Sequence, residues 1–227
     1  MPGQPPDLRI VDDPAATLGE VLAEQALRGG SIVLTGGSTP GRAYEHAAER
    51  ARDWGAVTLW WGDERCVPPD DERSNYRLAK QTLLDRLDVQ PRTVHRIRGE
   101  LEPDEAAREL DEALAGAALD FLLLGLGRDG HCASLFPGSP QLAVEDRRAV
   151  SGPPRLEPFV ERVTMTMPVL RSAQRIVFLV AGESKAWAVA RAFGDEVTPD
   201  IPASLVRLAP VPVEVYLDEA AASELSR

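Results

Sequence analysis

Four short stretches of the sequence carry residues able to do chemistry. The run Leu124-Gly125-Leu126-Gly127-Arg128-Asp129-Gly130-His131-Cys132-Ala133-Ser134-Leu135-Phe136-Pro137 places a histidine among three glycines just after an apolar segment. Histidine titrates near neutrality and suits general-base chemistry, and Asp129 is close enough in sequence to orient its imidazole. The plainer reading is a histidine satisfied within a loop. Thr35-Gly36-Gly37-Ser38-Thr39-Pro40 joins a strand pattern to a helix pattern. Its glycines permit a tight turn, Ser38 or Thr39 can cap the helix, and Pro40 suits the first turn. Backbone N–H groups and the positive helix end would then converge on a phosphate, although an ordinary strand-to-helix turn uses the same residues. It is neither a P-loop nor a GxGxxG motif, so it implies no nucleotide.

In Trp61-Gly62-Asp63-Glu64-Arg65-Cys66-Val67-Pro68, acids and arginine alternate past a strand end. Asp63 and Arg65 share a face of an extended segment, so the guanidinium can hold an oxyanion and the carboxylate can orient the guanidinium. A solvated charged loop is the alternative. Gly182-Glu183-Ser184-Lys185 opens another helix and carries Lys185, one of only two lysines with Lys80. Lys185 can add a point charge to a phosphate site or lie exposed on the surface. His46 and His95 read as uninvolved, within a helix and in a linking segment. With no second histidine nearby in sequence, Cys132 reads as a small apolar residue.

The elements that must position these loops alternate. Apolar periodicity predicts helices at Pro14–Arg28, Gly41–Arg52, Ser74–Leu87, Pro103–Ala117 and Ser184–Phe193, and one after Leu217. Strands are expected at Ser31–Thr35, Val57–Trp61, Leu119–Gly125, Arg162–Thr166, Arg175–Ala181 and Val213–Leu217. The near-continuous apolar run at 119–125 suits a strand buried on both faces. Trp60 and Trp61 point to opposite faces, so at least one packs in the core. Alternating strands and helices imply a mostly parallel sheet with helices on both faces, an α/β fold in three layers. Ligands then belong beyond the carboxyl ends of the strands.

Length and composition bound the rest. The 227 residues fit a single domain spanning 1–227, with residues 1–7 flexible and the Pro-rich stretches serving as connections within it. No internal repeat is visible. The formal net charge of −11 argues against general nucleic-acid binding, so cations that hold an anionic substrate must be concentrated locally. Two cysteines without a CxxC pattern support neither a disulfide framework nor a zinc site. No secretory signal and no membrane-spanning run is visible, which points to a reduced, cytoplasmic protein.

In this order and spacing the motifs resemble the 6-phosphogluconolactonase family of the glucosamine-6-phosphate isomerase/6-phosphogluconolactonase superfamily. The matching runs are Thr35–Pro40, Trp61–Arg65 with Val67-Pro68, Asp71–Tyr76, Leu124–Pro137, Arg162–Thr166 and Gly182–Lys185, spread over about residues 31–194. The resemblance implies a three-layer α/β/α Rossmann-like fold and hydrolysis of 6-phospho-D-glucono-1,5-lactone to 6-phosphogluconate in the oxidative pentose phosphate pathway. It implies a sugar-phosphate lactone as the only small-molecule partner, no cofactor and no metal, and leaves the oligomeric state open. The expected roles are a neutral His131 oriented by Asp129 as general base and Arg65 held by Asp63 at the developing oxyanion. Phosphate is expected on Gly36, Gly37, Ser38 and Thr39 with Lys185 and Arg162, while Arg73 and Arg128 compete for the arginine roles. The deaminase/isomerase branch is the main alternative. It carries a catalytic glutamate soon after the histidine, whereas Ala133–Pro137 contains no acid. It also tends to have an aromatic residue where Arg65 stands. A sugar-phosphate-binding module without turnover is a third reading.

Overall fold

A computed structural model describes residues 4–225. Its strands are β1 (Asp7–Ile10), β2 (Gly30–Leu34), β3 (Val57–Trp61), β4 (Asp63–Arg65), β5 (Thr93–His95), β6 (Phe121–Leu124), β7 (Ala149–Gly152), β8 (Arg162–Met165), β9 (Ile176–Val180) and β10 (Val213–Leu217). Its α-helices are α1 (Pro14–Arg28), α2 (Ser38–Arg50), α3 (Asn75–Thr82), α4 (Pro103–Ala113), α5 (Met167–Arg171), α6 (Ala186–Val189) and α7 (Pro202–Leu205). Seven strands form one all-parallel sheet in the order β1-β10-β9-β6-β2-β3-β5. Helices cover it to give the expected α/β sandwich, and β2, β6 and β9 are the buried apolar runs that a doubly covered sheet requires. From β2 the chain moves outward through β3 to β5. It then returns to the other side of β2 with β6 and continues outward to β9. The strand order therefore reverses between β2 and β6. The crevice at their carboxyl ends is the place where such sheets take ligands.

A second, antiparallel sheet of β4-β8-β7 stands beside that crevice. Its register sets Asp63 opposite Thr164 and Arg65 opposite Arg162. Sequence periodicity missed β1, β4, β5 and β7 because each has only three or four residues, too few for an alternation to show.

Several expectations need correction. Residues 1–3 lie outside the described part, but Gln4–Asp7 are not loose. The Gln4 N–H donates to the Arg207 carbonyl at 3.0 Å, and Asp7 opens β1 alongside β10. The segment after Leu217 forms turns, with the Asp218 carboxylate accepting from Gly182 N–H (3.0 Å) and Ala221 N–H (2.7 Å). The helix expected over 184–193 divides into a 3₁₀ turn at Glu183–Lys185, α6 and a π-turn at Ala190–Gly194. Arg207 Nη1 donates to the Ala192 and Asp195 carbonyls at that end, drawing acceptors away from regular helical pairing. The helix expected over 74–87 stops at Thr82, with a separate 3₁₀ turn at Leu84–Arg86. His95 is part of β5, and its ring stacks on Trp60 at 3.9 Å. Both Trp60 and Trp61 are buried.

Candidate functional site

A cavity of about 260 Å³ opens at the switch point, lined by residues from six separate stretches of chain, one of them Asn75 of α3. Thr35, Gly36 and Gly37 come from the end of β2, and Asp63 and Arg65 from β4. Gly125–Gly127, His131 and Ala133 follow β6, Arg162 belongs to β8 and Lys185 follows β9. Asp63, Arg65, His131, Arg162 and Lys185, up to 122 positions apart in sequence, thus meet at one opening. Ser38 and Thr39 do not line it.

His131 is placed by its own loop. Its Nδ1 lies 2.5 Å from Asp129 Oδ1, and the same oxygen accepts the His131 N–H at 3.2 Å. A carboxylate oxygen accepts only, so Nδ1 carries a proton, and in the neutral ring the lone pair is on Nε2. Burial pushes the Asp129 carboxyl up, but hydrogen bonding and attraction to His131 outweigh it and hold the carboxyl below its ordinary value. Gly127 makes the geometry possible: a Cβ there would lie 1.9 Å from His131 Nδ1 and 2.6 Å from Asp129 Oδ1. Phe136 braces the far side of the imidazole, with ring centroids 4.6 Å apart.

The cations are arranged differently from the expectation. Asp63 does not hold Arg65. Its Oδ2 accepts from Ser134 Oγ at 2.5 Å, and Asn75 Nδ2 donates to its backbone carbonyl at 2.9 Å and its Oδ1 at 3.3 Å. Arg65 instead donates through Nη1 to the Arg73 carbonyl at 2.6 Å. Asp63 and Arg65 do share one face, as alternation requires, but the carboxylate's lone pairs are taken by neutral donors. Arg162 is 4% exposed, and its Nη2 reaches the carbonyls of Leu156, Glu157 and Pro158 only at 3.2–3.5 Å. The Nε atoms of Arg65 and Arg162 are both buried without a partner. Burial lowers the Arg162 pKa, and the facing Arg65 adds to the effect against the pull of Asp63. Burial likewise lowers Lys185, whose Nζ donates to the Leu126 carbonyl at 2.5 Å. Among the described residues, none of Arg65, Arg162 and Lys185 has a carboxylate ion-pair partner. Three such cations at one opening favour an anion. Of the competing arginines, Arg73 is paired with Asp71 at 2.7 Å, and neither it nor Arg128 lines the cavity.

The glycine loop starts α2 without a side-chain cap. Gly37, at φ 118°, occupies the cap position, so Ser38 and Thr39 already lie inside the first turn and cannot cap it. Gly36 touches Asn75 so closely that a Cβ would lie 1.8 Å from Asn75 Oδ1. Cys132 is buried, which pushes its thiol up to about 12 and leaves it an apolar filler. No group of three or more metal-ligating side chains occurs among the described residues. No helix among them is long and apolar enough to cross a membrane.

Glu64 is a residue whose position sequence reasoning did not assign. It is 2% exposed and accepts four hydrogen bonds, from the N–H groups of Arg65, Asn75 and Tyr76 and from Ser74 Oγ, at 2.7–3.0 Å. It therefore fastens the start of α3 beneath the cavity. The signal was Asp-Glu-Arg followed by Ser-Asn-Tyr, but nothing in linear spacing says that one carboxylate reaches 12 residues ahead. Glu64→Gln would turn an amide N–H₂ toward donors. Such unsatisfied buried groups cost about 1–3 kcal/mol each, so the variant should lose about 2–4 kcal/mol of stability. A urea unfolding curve that moves by less than a tenth of that would show that the four bonds contribute little.

The chain is similar to known proteins over most of its length. Residues 9–214 match the family described as glucosamine-6-phosphate isomerases/6-phosphogluconolactonase. The 6-phosphogluconolactonase of Synechocystis sp. is 39% identical over 180 residues, covering 75% of this chain and 74% of that protein. Probable 6-phosphogluconolactonase 1 of Arabidopsis thaliana is 36% identical over 218 residues, covering 86% and 81%. The crystal structure of 6-phosphogluconolactonase from Leishmania guyanensis superposes with a TM-score of 0.85 at 27% identity, covering 98% of this chain and 99% of the other. The chain belongs to the glucosamine-6-phosphate isomerase/6-phosphogluconolactonase family.

Proposed function

We propose that the protein hydrolyses 6-phospho-D-glucono-1,5-lactone to 6-phosphogluconate, the reaction of the oxidative pentose phosphate pathway for which its relatives are named. The observation that carries the reading is the meeting of three cations without carboxylate partners and a histidine whose Nδ1 is tied to Asp129. A phosphorylated lactone needs an anion seat, a water activator and a donor for a developing oxyanion, and the cavity offers all three.

The phosphate rests at the start of α2, against Gly36 and Gly37, with Lys185 and Arg162 supplying charge. His131 Nε2 takes a proton from water as the oxygen attacks the lactone carbonyl carbon. Arg65 stabilises the tetrahedral oxyanion. Collapse re-forms the carbonyl and breaks the bond to the ring oxygen, which takes the proton from His131 and becomes a hydroxyl. The new carboxylic acid then releases its proton to solvent, so one water is consumed and one proton appears.

A coupled assay tests this. The lactone is generated in situ at mildly acidic pH, 6-phosphogluconate is followed through its dehydrogenase, and ammonia release from glucosamine 6-phosphate is measured in parallel. Lactone turnover above the blank without ammonia is the expected result, and ammonia alone would move the protein to the deaminase branch. Lys185→Ala should raise KM about 10- to 100-fold and leave kcat within about threefold, because its charge holds the phosphate equally in ground and transition states. A loss confined to kcat would take Lys185 out of the phosphate seat.

A further inference from the structure

We propose that Ser134 and Asn75 are positioning residues for the hydrolysis, acting together through Asp63 to hold the histidine loop against the glycine loop. This rests on the lactonase reading above and on His131 as the base. Asp63 is 5% exposed, and its lone pairs are directed at two neutral donors on different elements, Ser134 Oγ and Asn75 Nδ2. Asn75 must orient its amide with Nδ2 toward Asp63, because both atoms it meets there accept hydrogen bonds. Its Oδ1 then lies against Gly36 and has no hydrogen-bond partner among the described residues. The Asp63 carboxylate on β4 thus links Ser134, in the histidine loop after β6, to Asn75 at the start of α3, and Asn75 packs against Gly36 of the glycine loop.

Ser134 is the point at which this junction grips the histidine loop. Ala133 before it has φ 48°, and it is the one non-glycine residue with positive φ among those described. A side chain at such an angle carries strain that surrounding bonds must offset. Three bonds do so: Leu135 N–H to the Cys132 carbonyl at 3.0 Å, Ser134 N–H to Thr164 Oγ1 at 3.2 Å, and Ser134 Oγ to Asp63. Thr164 faces Asp63 across the β4–β8 ladder, so both grips on Ser134 come from one cross-strand pair. His131 lies three residues before Ser134 and Phe136 two after. Phe136 packs on the imidazole and also lies under Arg162 at 5.5 Å. Releasing Ser134 would shift His131 relative to the carbonyl held at Arg65, and displacements of about 1 Å at a reacting centre can cost about 10²-fold in rate.

The test is steady-state kinetics on Ser134→Ala, Asn75→Ala and the double variant, with wild type as the control for lactone turnover. Ser134→Ala should lower kcat about 10- to 50-fold with KM within about threefold, since Ser134 does not line the cavity, whereas Asn75→Ala should show a similar kcat loss together with a KM change of its own, because Asn75 lies against Gly36. The double variant should lose little more than the worse single, because both act through one carboxylate. Thr164→Val, which keeps the side-chain shape and removes the second grip together with the bond from Thr164 Oγ1 to the Met165 carbonyl, should show the same kcat-selective loss if Ser134→Ala folds poorly. Protection by inorganic phosphate in thermal melting should stay at the wild-type value in Ser134→Ala and Thr164→Val. Wild-type kcat in Ser134→Ala or Thr164→Val, additive losses in the double variant, or losses in KM alone would each overturn the proposal. An inactive wild type would instead overturn the lactonase reading.

Discussion

His131→Ala should lower kcat at least about 10²-fold while KM changes little, because in the proposed mechanism the imidazole acts on water and not on the parts of the substrate that give affinity. The expectation follows from the placement of the two ring nitrogens. Nδ1 is committed to Asp129 at 2.5 Å, so the lone pair that remains belongs to Nε2 on a ring lining the cavity. Asp129 is held below its ordinary carboxyl range and therefore stays an acceptor at neutral pH. Asp129→Asn supplies the sharper comparison. An asparagine can turn N–H₂ toward Nδ1, which would move the proton to Nε2 and remove the base without removing the ring. Both variants should therefore lose kcat by about 10² or more, in line with losing general-base catalysis. The measurement is initial rates over a range of lactone concentration at fixed pH, with product binding followed separately. If His131→Ala keeps kcat within about threefold, the water is activated by another group.

The difference between what was legible and what was not follows the physics of each signal. The long elements were legible because burial imposes a period. The 15-residue α1 and the five-residue β3 and β10 have the bounds that apolar spacing predicts. The convergence of these residues was legible in part because glycine, histidine and paired charges cluster after strand ends, and strand ends in such sheets face one crevice. Thus Gly36, Gly37, Asp63, Arg65, His131, Arg162 and Lys185 all line the same cavity, whereas Ser38 and Thr39 stand one step outside it. Pairing between distant segments was not legible. Nothing in the spacing of Asp63 and Arg65 reveals that Ser134, 71 positions later, takes the carboxylate, or that β8 brings Arg162 opposite Arg65. The expectation that Asp63 holds Arg65 relied on proximity in sequence. The fold gives Asp63 nearer neutral donors, and the Arg65 guanidinium donates instead to the Arg73 carbonyl.

Replacing Arg162 should separate stability from function. Arg162→Met keeps most of the length of the side chain and removes its charge. In the unliganded protein this charge is a liability: it is 4% exposed, its Nε has no partner, and its nearest strand neighbour is another guanidinium. Like charges directly opposite on a ladder destabilise it, and apolar replacement of buried ionic groups is often neutral or stabilising. Against that stand three long bonds to the carbonyls of residues 156–158 and the Phe136 ring 5.5 Å away. The variant should therefore unfold at the same urea concentration as wild type or a higher one, with a gain of up to about 1 kcal/mol. Its kcat/KM should nonetheless fall about 10²- to 10³-fold, since losing a buried, charge-assisted contact to an anion costs about 2–5 kcal/mol and each factor of ten is about 1.4 kcal/mol. Arg65→Met offers the contrast, because it removes the same repulsion while taking away the proposed oxyanion donor, so its loss should fall mainly in kcat. Arg162→Met melting well below wild type would mean that the guanidinium holds the fold together. Unchanged kcat/KM would mean that the substrate anion is seated without Arg162. The expected combination, an enzyme that is at least as stable and far less active, would show that the opposed guanidiniums are a cost that the fold bears for the substrate they bind.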